Sequence, residues 1–419
     1  MNKEVYKNNR NNLMKNIPDN SVVVLFAGNA PKKTGDELYP FSPNRNFFYL
    51  TGIKEEEHIV VLTKFNAKVS EKLFLKELNL EEEMWTGKTL RDFEGKEISG
   101  IEDTVYMNDF YPYMNKLIKG ADEVNLYLDL ERQNFKENDS ESFKFAKTFR
   151  DKYPQLFIKD VSSKITPLRM IKSDEEIAEM QKAIDITISG VESLMKNAQS
   201  GMKEYELEAY FDFECKKNGV KDFAFKTIAA AGKNATTLHY VENNSEIKKD
   251  DLILFDLGAA WNCYSADITR TFPVSGKFTE RQKQVYEAVL RVNKAVIEKI
   301  KPGVVYQELN KWATDLIAEE CMKLGIIKEK EEVRKYYWHS IGHNLGLDTH
   351  DVEPQGRNFV FAQGMVFTVE PGIYIGEEGI GIRIEDDVLV TKDGCTVLTK
   401  NMIKEVDDIE KFMSENKLY

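Results

Sequence analysis

Four carboxylates and one imidazole carry the chemistry that can be read from this chain: Asp256, Asp267, Glu370, Glu385 and His343. Residues 251–258 read as a buried strand that ends in polarity, and residues 263–272 read as its return. With Trp261 and Asn262 as a two-residue turn, Asp256 lies directly opposite Asp267 on one face. Opposed side chains stand about 5 Å apart, so like charges there repel and a cation between them removes the conflict. A solvated hairpin with two surface carboxylates is the alternative, and the apolar neighbours of Asp256 weigh against it.

Residues 338–351 hold three of the chain's five histidines, His339, His343 and His350. The spacing of four lets His339 and His343 face one way on a helix. Glu370 stands at the end of a predicted strand, just before Pro371 and Gly372, and Glu385 lies on another strand. Alternation puts Arg383 on the face of Glu385, where it can orient carboxylates or contact a substrate. Two Asp and two Glu neutralise two divalent cations, and neutral His343 adds a ligand without charge. Such an oxygen-rich set suits Mn²⁺ first, with Co²⁺, Zn²⁺ or Fe²⁺ also fitting. Two ions about 3.5–4 Å apart generate a hydroxide nucleophile near neutral pH and polarise a carbonyl.

The elements that must position these groups follow from patterning. Ser173 and Glu176 form a capping box, and Ile177, Met180, Ile184, Ile188, Val191 and Met195 continue it at helical spacing. A second helix is expected over 203–217, a third opens on the Thr279/Gln282 capping box, and a fourth runs over 304–324. The helices come in pairs, each followed by strands, which on pattern alone gives an α+β domain over 174–419. Residues 1–160 form an N-terminal mixed α/β domain, with strands expected at 21–28, 46–52, 57–64, 71–76, 124–130 and 155–160. Residues 161–173 read as a linker.

The order Asp, Asp, His, Glu, Glu resembles the pita-bread metallopeptidases. The stretches FDLGAAWNCYSADITRTFPVSGKFT (255–279), HSIGHNLGLDTHDVE (339–353), FTVEPGIYI (367–375) and GIRIEDDVLVT (381–391) look most like aminopeptidase P and bacterial Xaa-Pro peptidases, with prolidase sharing the ligand set. YPFSPNRNFFYLTG (39–52) and EEEMWTG (81–87) extend the likeness into the N-terminal part. The resemblance implies a curved antiparallel sheet holding two metals on its concave face, with helices behind. It implies cleavage after an N-terminal residue that precedes proline, with proline-containing peptides as partners. The alternatives are a dipeptidase for Xaa-Pro and a non-catalytic binding member of the fold. It also implies that Glu370 doubles as general base, and that His239 and His350 act on the reacting peptide. His339 becomes a supporting or substrate-facing residue. Trp85 becomes a contact to a neighbouring subunit's site, within a homodimer or homotetramer.

Composition excludes other classes. The net charge of −12 offers no basic patch for nucleic acid or an anionic membrane. No apolar run reaches membrane-spanning length, and the polar N-terminus lacks a signal-peptide core. Cys215, Cys263, Cys321 and Cys395 show no metal or redox spacing. A cytoplasmic protein is expected.

Overall fold

The structure is a computed structural model that describes residues 1–119, 123–132, 134–154 and 156–416. The chain divides into two compact units, Met1–Arg169 and Met170 onward. The expected linker carries a helix, Ser162–Met170, and the divide falls within its last turn.

In the N-terminal unit six strands form one sheet. Their order is Thr104–Tyr106, Lys68–Leu75, Ile59–Phe65, Ser21–Phe26, Asn125–Leu128 and Phe157–Asp160. Gln155, at the start of the last expected strand, lies outside the described residues. Ser21–Phe26 is buried along nearly its whole length because both sheet faces are covered, so its apolar run is continuous rather than alternating. Phe74, Phe110, Phe145 and Phe149 pack with Val22, Val24 and Val61 on one side. Each such side chain removed from water contributes about 1.5–3 kcal/mol. His58 is buried here and accepts from the Lys76 amide at 3.0 Å; burial, then Lys76, pushes its imidazole down to about 4.

The expected strand at 46–52 is instead a helix, Arg45–Thr51. Asn44 caps it by accepting from the Phe47 amide at 2.8 Å, and Gly52 closes it in the left-handed region at φ 72°. All of Asn46–Thr51 is buried, so no polar face remained to reveal a helical period.

In the C-terminal unit all strand pairings are antiparallel among the described residues. Ile228–Ala231, Leu252–Leu257 and Ile268–Pro273 form one sheet; Val366–Val369, Asp386–Val390 and Cys395–Val397 form another; Gly372–Ile375 pairs with Ile380–Arg383. Both capping boxes form, opening helices Asp174–Asn197 and Glu280–Lys299. Asp174–Asn197 packs against Glu204–Lys217 and Glu280–Lys299 against Tyr306–Lys323, and the first helix of each pair lies on strands.

The hairpin register differs from expectation. The turn is Asn262–Cys263, both at positive φ (50° and 67°), a geometry that matches strand twist. Trp261 therefore pairs with Tyr264, and Asp256 faces Thr269 rather than Asp267. The shift is two residues, and the side-chain period is two, so both aspartates keep the same face with Asp267 diagonal to Asp256.

Candidate metal centre

Four of the five groups sit where regular structure is interrupted, and the fifth lies one residue from a strand's end. Asp256 is near the end of Leu252–Leu257. Asp267 falls in the gap between Tyr264–Ser265 and Ile268–Pro273. Glu370 follows Val366–Val369, and Glu385 separates Ile380–Arg383 from Asp386–Val390. Such gaps free the backbone to aim successive side chains inward, while the flanking ladders hold it rigid.

His343 reaches the site from an irregular segment, although its spacing from His339 would also suit a helix. The segment runs beside Val366–Val369: the Thr368 amide donates to the His343 carbonyl at 2.9 Å, and the Glu370 amide to that of Ile341 at 2.9 Å. Gly342 makes the approach possible, since a Cβ there would lie 1.9 Å from the Thr368 carbonyl oxygen. Gly342→Ala should therefore destabilise the unit by about 1–3 kcal/mol and displace His343. Denaturant unfolding checks this, and an unchanged midpoint would contradict it.

The geometry meets the test for a cation. His343 Nδ1 lies 3.0 Å from the Asn344 carbonyl oxygen, which can only accept. Nδ1 therefore carries the proton, and Nε2 presents a lone pair. That lone pair faces Asp267 Oδ2 at 3.4 Å and Glu370 Oε1 at 3.6 Å. Ligand atoms of Asp267, His343 and Glu385 all lie within 4.8 Å of one another. Asp256 Oδ1 and Asp267 Oδ1 are buried without a hydrogen-bond partner. Burial first, then the charges of Asp256, Asp387 and Glu370, raises the Asp267 carboxyl well above its usual range. Burial and then Asp267 do the same to Glu385. Acceptors crowded together with too few protons are what a cation relieves, and the donor set fits hard or borderline divalent ions.

Arg383 is buried and holds the periphery. It donates to Asp256 Oδ2 at 2.5 Å, to Thr269 Oγ1 at 3.0 Å and to the Tyr374 hydroxyl at 3.1 Å. Thr269 passes the restraint on, donating to Glu385 Oε2 at 2.6 Å. His339 Nδ1 faces the Ser340 carbonyl at 2.8 Å, so its Nε2 accepts from Tyr374, 2.8 Å away. Burial, then Arg383, pushes this imidazole down to about 3, and its Nδ1 is 3.6 Å from Glu370 Oε2. Thr269, Tyr374 and Thr368 were not singled out from sequence. Alternation offered a signal for Thr269, two residues from Asp267 on the same face.

His239 and His350 are exposed, and both line the same cavity of about 540 Å³ as the five clustered groups, His339 and Arg383. The His350 and His343 rings meet edge to face at 4.3 Å between centroids. Phe225, Ile228, Leu238 and Val241 give the cavity an apolar wall. Trp85 belongs to the N-terminal unit, where it is 88% exposed on the short helix Leu80–Thr86.

Similarity to known proteins agrees with this geometry. Residues 178–392 match the model of metallopeptidase family M24, and residues 6–127 match the aminopeptidase P N-terminal domain. Xaa-Pro aminopeptidase 3 of Dictyostelium discoideum is 37% identical, with 98% of this chain and 82% of that protein covered. A Bacillus anthracis structure provisionally named an aminopeptidase P is 46% identical, with a TM-score of 0.97 over 100% of both chains. Aminopeptidase P of E. coli, solved with the inhibitor Pro-Leu, is 30% identical, with a TM-score of 0.90 over 99% of each chain. The C-terminal unit has the pita-bread catalytic fold of these proteins, and the N-terminal unit is a mixed α/β domain. The chain belongs to metallopeptidase family M24.

Proposed function

We propose that this protein is a dinuclear metal-dependent Xaa-Pro aminopeptidase, with Asp256, Asp267, His343, Glu370 and Glu385 as the metal ligands. What carries the reading is the His343 Nε2 lone pair turned toward Asp267 Oδ2 and Glu370 Oε1, beside the buried, unpartnered Oδ1 atoms of Asp256 and Asp267, in a chain of this family. When bound there, two divalent ions, Mn²⁺ first, supply an activated water and a polarised peptide carbonyl.

The chain's own residues do the rest. Glu370 accepts the water's proton and returns it to the leaving amine. Burial raises its carboxyl above the ordinary range, which suits a group that must both take and give a proton. His239 and His350 donate hydrogen bonds to the reacting peptide from the cavity side. Arg383 and Thr269 hold Asp256 and Glu385 against rotation. Proline's ring carries no N–H, so an apolar wall such as Phe225 and Ile228 accommodates it without an unpaired polar group. The Pro-Leu held by the E. coli relative has the form of a product left after one residue is removed from a tripeptide. That supports substrates longer than a dipeptide over the Xaa-Pro dipeptidase alternative.

A homo-oligomer is part of the proposal. Trp85, with Leu80 at 73% and Met84 at 78% exposure, forms an apolar face suited to a second copy. The cytoplasm is the proposed setting, in keeping with the free thiols of Cys215, Cys321 and Cys395.

A length series of Xaa-Pro, Xaa-Pro-Yaa and longer peptides, assayed with Mn²⁺, tests the reading. Release of the first residue from Xaa-Pro-Yaa is expected, and Trp85→Ala should change kcat/KM on short peptides while leaving metal binding intact. Cleavage of dipeptides alone would point to a dipeptidase, and equal cleavage of Xaa-Ala would remove proline specificity.

A further inference from the structure

Asn293 sits inside the helix Glu280–Lys299 and is completely buried. Its Nδ2 donates to two backbone carbonyls, those of Val369 at 3.1 Å and Ile384 at 3.3 Å. Those residues immediately precede Glu370 and Glu385. Strands Val366–Val369 and Ile380–Arg383 stop at or just before these positions. Buried carbonyls beside such stops still need donors. Asn293 supplies one donor to each from a single rigid group.

The amide cannot turn over. Its Oδ1 accepts from Lys404 Nζ at 2.8 Å, and an ammonium only donates. Lys404 is itself fixed by Asp386 Oδ2 at 2.6 Å, while Asp386 Oδ1 accepts from Arg270 at 2.7 Å. Arg270 then donates to the Glu385 carbonyl at 2.6 Å and the Thr269 carbonyl at 2.9 Å. The backbone on either side of Glu385 is thus held from behind, and Asn293 ties it to the backbone before Glu370.

We propose that Asn293 is a positioning residue for metal binding: one buried amide fixes the spacing of Glu370 and Glu385 by clamping the peptide units before them. The inference rests on the dinuclear reading above. It adds a determinant on the helix behind the sheet, outside the ligand set and the cavity lining.

The test uses the full chain, stripped of metal and titrated calorimetrically with Mn²⁺. Asn293→Leu keeps the volume and removes both donors. Its Mn²⁺ affinity should fall about 10- to 100-fold, the usual cost of losing a group that orients ligands. At saturating Mn²⁺, kcat on an Xaa-Pro-Yaa peptide should fall while KM stays nearly constant. A lowered melting temperature with unchanged Mn²⁺ affinity would mean a merely structural contact and would overturn the proposal. If Asn293→Leu does not fold, Lys404→Met serves, because it keeps the stem without a donor and Asp386 keeps Arg270 and Thr399 as partners. It frees the amide to rotate and should weaken Mn²⁺ binding in the same direction; unchanged affinity in that folded variant also overturns the proposal. A wild-type chain that binds no Mn²⁺ would overturn the dinuclear reading instead.

Discussion

Asp267→Asn should abolish metal binding and lower kcat/KM about 10³-fold, a loss of about 4 kcal/mol of transition-state stabilisation. The metal-free variant should nonetheless be at least as stable as the metal-free parent. Asp267 is 4% exposed, its Oδ1 has no partner, and burial with Asp256, Asp387 and Glu370 nearby disfavours its charge. Replacing it by a neutral amide of nearly the same shape relieves that repulsion. The parent should gain about 2.7 kcal/mol of stability at Mn²⁺ a hundredfold above Kd, and the variant should gain nothing. Thermal unfolding with and without Mn²⁺ separates the two effects. A variant that still gains stability from Mn²⁺ would place the ions elsewhere.

The histidines should divide by role. His343→Ala removes the Nε2 lone pair that faces Asp267 and Glu370, so metal occupancy should fall. His239→Ala and His350→Ala should retain both ions and lose roughly 10²- to 10⁴-fold in kcat, the range for a lost proton donor or acceptor. Their placement motivates the split. Both line the cavity, yet the tight cluster of ligand atoms comprises Asp267, His343 and Glu385. Metal analysis beside steady-state kinetics reads both quantities. Loss of metal in His350→Ala would contradict the assignment, as would an unchanged kcat.

Sequence was informative where local chemistry decides structure. Ser173 with Glu176 and Thr279 with Gln282 announce helix starts because the capping box is a contact within four residues. It failed where burial is complete on all sides, as at Asn46–Thr51, since a helix without a polar face shows no period. The hairpin turn was misplaced because positive φ falls on Asn262 and Cys263 with no glycine to mark it. The face of both aspartates survived that error only because the slip was even. The spacing of His339 and His343 permits a helix, but the segment is irregular. Its course is set by Gly342 passing against Thr368, a close approach that no local pattern encodes. Asn293 was invisible for the same reason: it sits among ordinary helical residues, and its partners lie 76 and 91 positions away.

The most direct measurement is release of the N-terminal residue from an Xaa-Pro-Yaa peptide by metal-stripped protein as Mn²⁺ is titrated in. Four carboxylates balance two divalent charges, so activity should start near zero and reach its plateau at two ions per chain, with the matching Xaa-Ala-Yaa peptide left intact. Full activity in the thoroughly stripped protein, before any Mn²⁺ is added, would contradict a metal-dependent site built on Asp256, Asp267, His343, Glu370 and Glu385.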